Sequence, residues 1–268
     1  MLLLVQALLI APRFAKYILA PFFPAAETPA APTGDDGYAY TTDLYDVQPR
    51  SIVIEWGAES VEIVRTDGSS IELTERSYSP LESDDRLITK AANSAMEIRG
   101  SKEKDLADQP EKFLTLALPE ELCGALDTLT VITYSAGVSF RDLSGGVCAA
   151  ATISGSLDLA GQFDTWQVET ISGSAVLTAP NGKMRVSTVS GNVSLREIDR
   201  ESSVNTKSGS VSIRTPMEDF TLTFDTVSGQ LTEAGLAGTK EYRTYIYGSG
   251  GTALTVTTNS GDLTLAKD

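Results

Sequence analysis

The sequence contains no histidine. That absence removes Ser-His-Asp and Cys-His catalysis and every His-ligated metal site. Cysteine is scarce: Cys123 and Cys148 are the only two, too few for a structural zinc site or a disulfide framework. One bridge between them stays open, but two buried free thiols is the favoured reading, because free cysteine is commonly buried. Basic charge is in the minority, with 21 Lys and Arg against 36 Asp and Glu, a net −15. Such a surface repels phosphate backbones, which argues against a nucleic-acid partner, and it attracts cationic peptides or basic proteins. It also keeps an extended β protein soluble. The excess lies early: residues 35–121 hold 20 acidic and 9 basic side chains, residues 122–268 hold 15 and 10. Walker loops, dinucleotide-binding glycine patterns and the Gly-x-Ser-x-Gly elbow are all missing.

A clean membrane span is missing too. "MLLLVQALLI" is apolar, but Pro12, Arg13 and Lys16 interrupt before "YILAPFFPAA". A secretory signal carries its positive charge before the apolar run, and here it follows. Residues 1–23 are therefore expected to be a membrane anchor or uncleaved export signal of unusual form, with a peripheral amphipathic segment or a mis-assigned start as the alternatives. Residues 24–42, opening "PAAETPAAPTGDDG", read as an extended Pro/Ala-rich linker. Residues 43–268 read as one β domain, long enough to bury its own core.

What is present is a repeat. With the serine of each Ser-Gly in register, one column reads Ser135, Ser154, Ser172, Ser190, Ser208, Ser228, Ser260. The next residue is Ala136 in the first copy, then Gly155, Gly173, Gly191, Gly209, Gly229 and Gly261. Two residues before each serine stands Thr133, Thr152, Thr170, Thr188, Thr206, Thr226 or Thr258. Apolar residues alternate on both sides, so the segments are strands, two or three short ones per copy. A five-residue step from Thr188 to Val193 would change face in an unbroken strand. The chain must therefore turn at Ser-Gly, where glycine supplies a positive φ or a close backbone approach. The prevailing spacing of 18 residues suits one coil of a solenoid.

The expected fold is all-β, a right-handed parallel β-helix or β-solenoid of about 18 residues per coil, preceded by the apolar N-terminal segment. The threonines form a structural ladder and the Ser-Gly pairs its corners. Residues 123–268 are the regular part. Residues 43–122, with "SIVIEWGAESVEIV" and "FLTLALP", are its diverged start, Trp56 being a core residue. "EYRTYIYGSGGTALTV" is read as an inserted strand or hairpin before the last coil, and Glu233 alone breaks its apolar column.

On "IVIEWGAESVEIV", "FLTLALP", the run of Thr-x-Ser-Gly copies and the closing "GSGGTALTVTTNSGDLTL", the chain resembles the bacterial "putative adhesin" family of β-strand-repeat proteins, a domain of unknown function. The resemblance covers about 43–268. It implies a β-helix-like fold, often behind a membrane segment, with no established catalytic residues. Ala136 at the first corner and the Arg/Lys-interrupted N-terminus depart from the pattern.

No catalytic, cofactor or metal residues are assigned. Glu197, Asp199 and Glu201 of "REIDRE" share one face of an extended segment, as a polysaccharide-cleaving or Ca²⁺ site would require, but a solvated ion-pair face with Arg196 and Arg200 is favoured. Tyr242, Tyr245 and Tyr247, with Trp166, form the speculative binding surface; core or edge aromatics are the competing reading. The functional expectation is a non-enzymatic binding surface at the cell envelope, membrane-anchored or exported, for a protein, peptide or glycan, in an adhesion or stress-sensing role. A cytoplasmic self-assembling scaffold and a carbohydrate-active enzyme are the alternatives.

Overall fold

Alternation of apolar and polar residues is what the backbone follows almost everywhere. The computed structural model describes residues 37–57, 59–178 and 181–268, and there the chain is all-β, 59% strand against 4% helix. The apolar segment 1–23 and most of the linker lie outside the described residues. Tyr38–Leu44, at the end of the stretch read as linker, is already a strand.

Two faces enclose one core. The face leading into the corners holds, in spatial order, β5 (Ile88–Ala92), β6 (Ala95–Arg99), β2 (Ser51–Trp56), β8 (Leu126–Thr133), the second halves of β9 (Gly137–Thr152) and β10 (Leu157–Thr170), β12 (Lys183–Thr188), β14 (Ser202–Thr206), β20 (Thr252–Thr258), β16 (Phe220–Thr226), β19 (Thr244–Tyr247) and β18 (Thr239–Glu241). The face leaving the corners holds β1 (Tyr38–Leu44), β4 (Ile71–Ser77), β7 (Phe113–Pro119), β3 (Ser60–Thr66), the first halves of β9 and β10, β11 (Ala175–Thr178), β13 (Val193–Arg196), β15 (Val211–Thr215), β21 (Leu263–Lys267) and β17 (Leu231–Ala234). Because β9 and β10 run through both faces, everything belongs to one 21-stranded sheet.

Register carries the repeat into space. Val168 pairs Val186, Val186 pairs Val204, and Thr170, Thr188 and Thr206 stack in line. Val168, Val186, Leu177 and Leu195 are completely buried, each stabilising the fold by about 1.5–3 kcal/mol. Both cysteines are free and buried in the same core.

The order of coils in space is not their order in the chain. The last coil, β20–β21, lies between β14–β15 and β16–β17, pairing in parallel on both sides. The first, β2–β3, likewise lies between β6–β7 and β8–β9. Coils that follow one another in sequence were expected to stack one upon the next; at both ends the chain instead leaves a layer open and fills it with another segment. The hairpin β18–β19 then runs antiparallel along β16.

The N-terminal end is closed by a charge cluster. Lys112 is fully buried and donates to Glu75 Oε1 at 2.6 Å, to the Asp85 carbonyl at 2.5 Å and to the Gly100 carbonyl, with Nζ 4.7 Å from the Trp56 ring centre. Burial pushes the Lys112 ammonium down and Glu75 opposes that shift. Trp56 Nε1 donates to the Lys112 carbonyl at 3.0 Å.

Candidate binding surfaces

Each corner is built from its own Thr-x-Ser-Gly. The glycine N–H donates to the threonine hydroxyl three residues earlier, at 2.8–3.0 Å, in the six copies from Thr152 to Thr258. Thr133 differs: its hydroxyl donates to the Ala136 carbonyl. None of these corner glycines has a positive φ. Close approach is what they serve, since a Cβ on Gly191 would fall on the Gly173 carbonyl oxygen, and one on Gly209 on that of Gly191. Ser172, Ser190, Ser208 and Ser228 each donate to a carbonyl of the neighbouring coil at 3.3–3.4 Å. Six of the threonines are buried and Thr226, on the outermost coil, is half-buried. Ser154 and Ser260 occupy the same corner position, and Ser135 takes it beside Ala136. These residues hold coils together and leave little for a ligand.

The aromatic residues separate. Tyr247 is buried, stacked on Phe220 with centroids 4.3 Å apart, and its hydroxyl donates to Glu233 Oε1 at 2.6 Å. Burial, reinforced by Glu233, raises its pKa. Glu233 thus breaks its apolar column because the terminal coil has a tyrosine hydroxyl to meet. Tyr245 is half-buried under Lys240, Tyr242 is 83% exposed, and Trp166 is wholly buried, stacked on Phe140. They form no shared platform.

The three carboxylates separate as well. The chain leaves β13 at Arg196, and Glu197 takes a positive φ of 58° while Ile198 turns into the core. Asp199 accepts from the Asn181 N–H at 2.6 Å and lies 3.4 Å from Arg200; Glu201 lies 3.2 Å from Lys183. The extended geometry that would align them is broken at Glu197, whose positive φ lets Leu195 and Ile198 both turn inward although they lie three residues apart. Among the described residues no group of three or more His, Cys, Asp or Glu could hold a metal ion.

Among the described residues, two open surfaces stand out. On the side where coils return from one face to the other, Asp142, Ser144, Gln162, Thr178 and Glu197 line a groove of about 390 Å³ over Leu143, Ala160 and Gly161. A bulge between Leu159 and Gly161 opens it, and Asp142, like Glu197, adopts a positive φ. On the outer side of the first face, a row runs in register through Gln167, Arg185, Ser203, Thr255 and Thr223, while its continuation at Ala149 is covered in a small apolar cluster with Ile132, Ala151 and Ile153. It borders a shallow depression of about 310 Å³ that also takes in Lys183 and Glu201. The sequence reading missed both; outward parity along the strands was the signal available for the row, and none was available for the bulge.

A family model described as Toastrack DUF4097 matches residues 124–266, a little over half of the chain. No curated protein matches it. Among solved structures, a "putative adhesin" from Bacteroides fragilis is 9% identical, with 86% of this chain and 97% of that one covered and a TM-score of 0.47. A "putative lipid binding protein" from Parabacteroides distasonis is 12% identical, with 84% and 96% covered and a TM-score of 0.48. A "putative cell adhesion protein" from Clostridium sporogenes is 9% identical, with 87% and 100% covered and a TM-score of 0.33.

Proposed function

This chain belongs to the Toastrack family, a domain of unknown function, and from that starting point we propose that it is a non-enzymatic solenoid of the cell envelope that presents a rigid surface to a protein, peptide or glycan. Its coil is right-handed, as parallel crossovers overwhelmingly are, with about 18 residues per turn. Residues 1–23 tether or export it.

The observation that carries this reading is the pair of outer rows. Gln167, Arg185, Ser203 and Thr255 on one face, and Ser139, Asp158, Val176, Ser194, Ser212 and Thr264 on the other, are mostly polar and held at strand spacing by a core that fixes every backbone position. Strand neighbours stand about 4.8 Å apart, so a ligand meets donors and acceptors on an even lattice that loses little freedom on binding. The groove between Asp142 and Glu197 adds a concave polar site beside it. Separation of Glu197, Asp199 and Glu201 supports a binding role over glycan cleavage. Incubation with a panel of polysaccharides should release no reducing ends or unsaturated products; release of either overturns the non-enzymatic reading.

Protease shaving of intact cells, blotted for residues 122–268, tests the location. Loss of signal before the envelope is opened is the expected result. Signal lost only after opening would place the domain inside and overturn the surface role.

A further inference from the structure

The coil formed by residues 252–268 is held from both sides. β20 pairs with β14 and β16, β21 with β15 and β17, and Leu254, Val256, Leu263 and Leu265 are at most 1% exposed. Yet among the described residues a single connection leads into it, Gly248–Gly251, between β19 and β20. Those two strands flank β16 on opposite edges. Four residues must therefore wrap round the start of β16.

They do so as a clasp. Ser249 donates through both its N–H (2.7 Å) and its hydroxyl (2.9 Å) to Asp219 Oδ1. Gly248, Gly250 and Gly251 have φ of 55°, 78° and 134°, a path that side chains with a Cβ rarely follow. A Cβ on Gly248 would strike the Asp219 carboxylate and crowd the Glu218 carbonyl.

Nothing in the slot depends on which molecule supplies the coil. The contacts are the repeat's own columns, Val211 on Leu263, Thr206 on Thr258, Ser212 beside Thr264. We propose that the layer between β14–β15 and β16–β17 is an acceptor slot for residues 252–268 of a second copy of this chain, and that the protein forms a reciprocal coil-exchanged dimer with Gly248–Gly251 as the hinge. This goes beyond the surface-binding role. Exchange keeps every buried contact, so the balance is set by concentration and by the hinge alone. Glycine takes these φ values without strain, so the native hinge closes freely on Asp219, whereas a Cβ at position 248 would strain the closed clasp and favour the dimer.

The test uses the full chain carrying Ser212→Cys and Thr264→Cys, register partners on the outer side. The protein is refolded at low and at high concentration and then treated with oxidised glutathione, with Cys123 and Cys148 buried. After alkylation it is run on a non-reducing denaturing gel. A closed coil gives an intrachain disulfide and monomer mass; an exchanged coil gives a covalent dimer. A dimer band that grows with refolding concentration, and grows several-fold further when Gly248→Ala is added, is the expected result. Should Gly248→Ala fail to fold, the unmodified hinge still decides. Monomer mass alone at every concentration overturns the proposal. So does a dimer by size exclusion whose disulfides are all intrachain, because that dimer would be joined by surfaces and not by exchange.

Discussion

At Gly191 a single methyl group has nowhere to go. It would occupy the position of the Gly173 carbonyl oxygen, which belongs to the stacked backbone and cannot swing aside. Gly191→Val is therefore expected to cost about 3 kcal/mol or more, while Ser194→Ala, on the outer parity of β13, costs less than about 0.5 kcal/mol. Melting temperatures of the two variants check this; equal, small shifts would mean the register is wrong. Lys112 makes a second residue-scale case. Lys112→Met takes away the buried cation nearest Glu75 and leaves it only Arg86 at 3.5 Å and the Leu87 N–H, at about 3 kcal/mol. Adding Glu75→Leu should recover part of that loss in denaturant unfolding, the remainder belonging to the Asp85 and Gly100 carbonyls left without a donor. The Thr, Ser and Gly columns were legible because each copy repeats the same local chemistry. Lys112 was not, since its partners Glu75, Asp85 and Gly100 come from separate stretches of the least regular part of the chain.

The elements that read least well are those ending the repeat. "YGSGGT" announces a turn, but only the pairing of β16 with both β19 and β20 shows that it encircles a strand. The clasp has an acid sensitivity of defined sign. Hydrogen bonds from the Ser249 N–H and hydroxyl lower the Asp219 carboxyl below its ordinary value of 3.8. A depressed carboxylate contributes stability that is present above the unfolded value and disappears as pH falls through the folded one. The melting-temperature gap between the wild type and Asp219→Asn should accordingly be constant above about pH 5 and shrink in more acidic solution. A gap that widens below pH 4 would contradict it. "REIDRE" was expected to be a solvated ion-pair face, and Asp199 beside Arg200 and Glu201 beside Lys183 make such pairs. What the charges did not show is the turn at Glu197, where Leu195 and Ile198 both point inward although three residues apart.

At the scale of the molecule, a linear repeat ordinarily frays coil by coil from its ends. Here the last coil in sequence is an interior layer. Backbone N–H groups of Leu254, Val256 and Leu265 are expected to exchange with deuterium as slowly as those of Val186 and Leu195, while β17 and β18 exchange fast. Rapid exchange across 252–268 would show that the coil is loosely seated. An all-β repeat with a threonine column and glycine corners followed from the sequence; the number of faces, left at two or three strands per coil, did not. Spatial order did not, because every coil offers its neighbours the same columns, and such interchangeable edges carry no address.

That interchangeability has a consequence for how such a domain grows. A newly duplicated coil must be received by layers that continue straight on from it. The interleaved ends cannot do so without rethreading, whereas the run from Leu157 to Thr215, stacked in chain order, can open at any corner and close again around one more turn. Lengthening, in evolution or by design, belongs in the middle of this protein, with both ends carried outward unchanged.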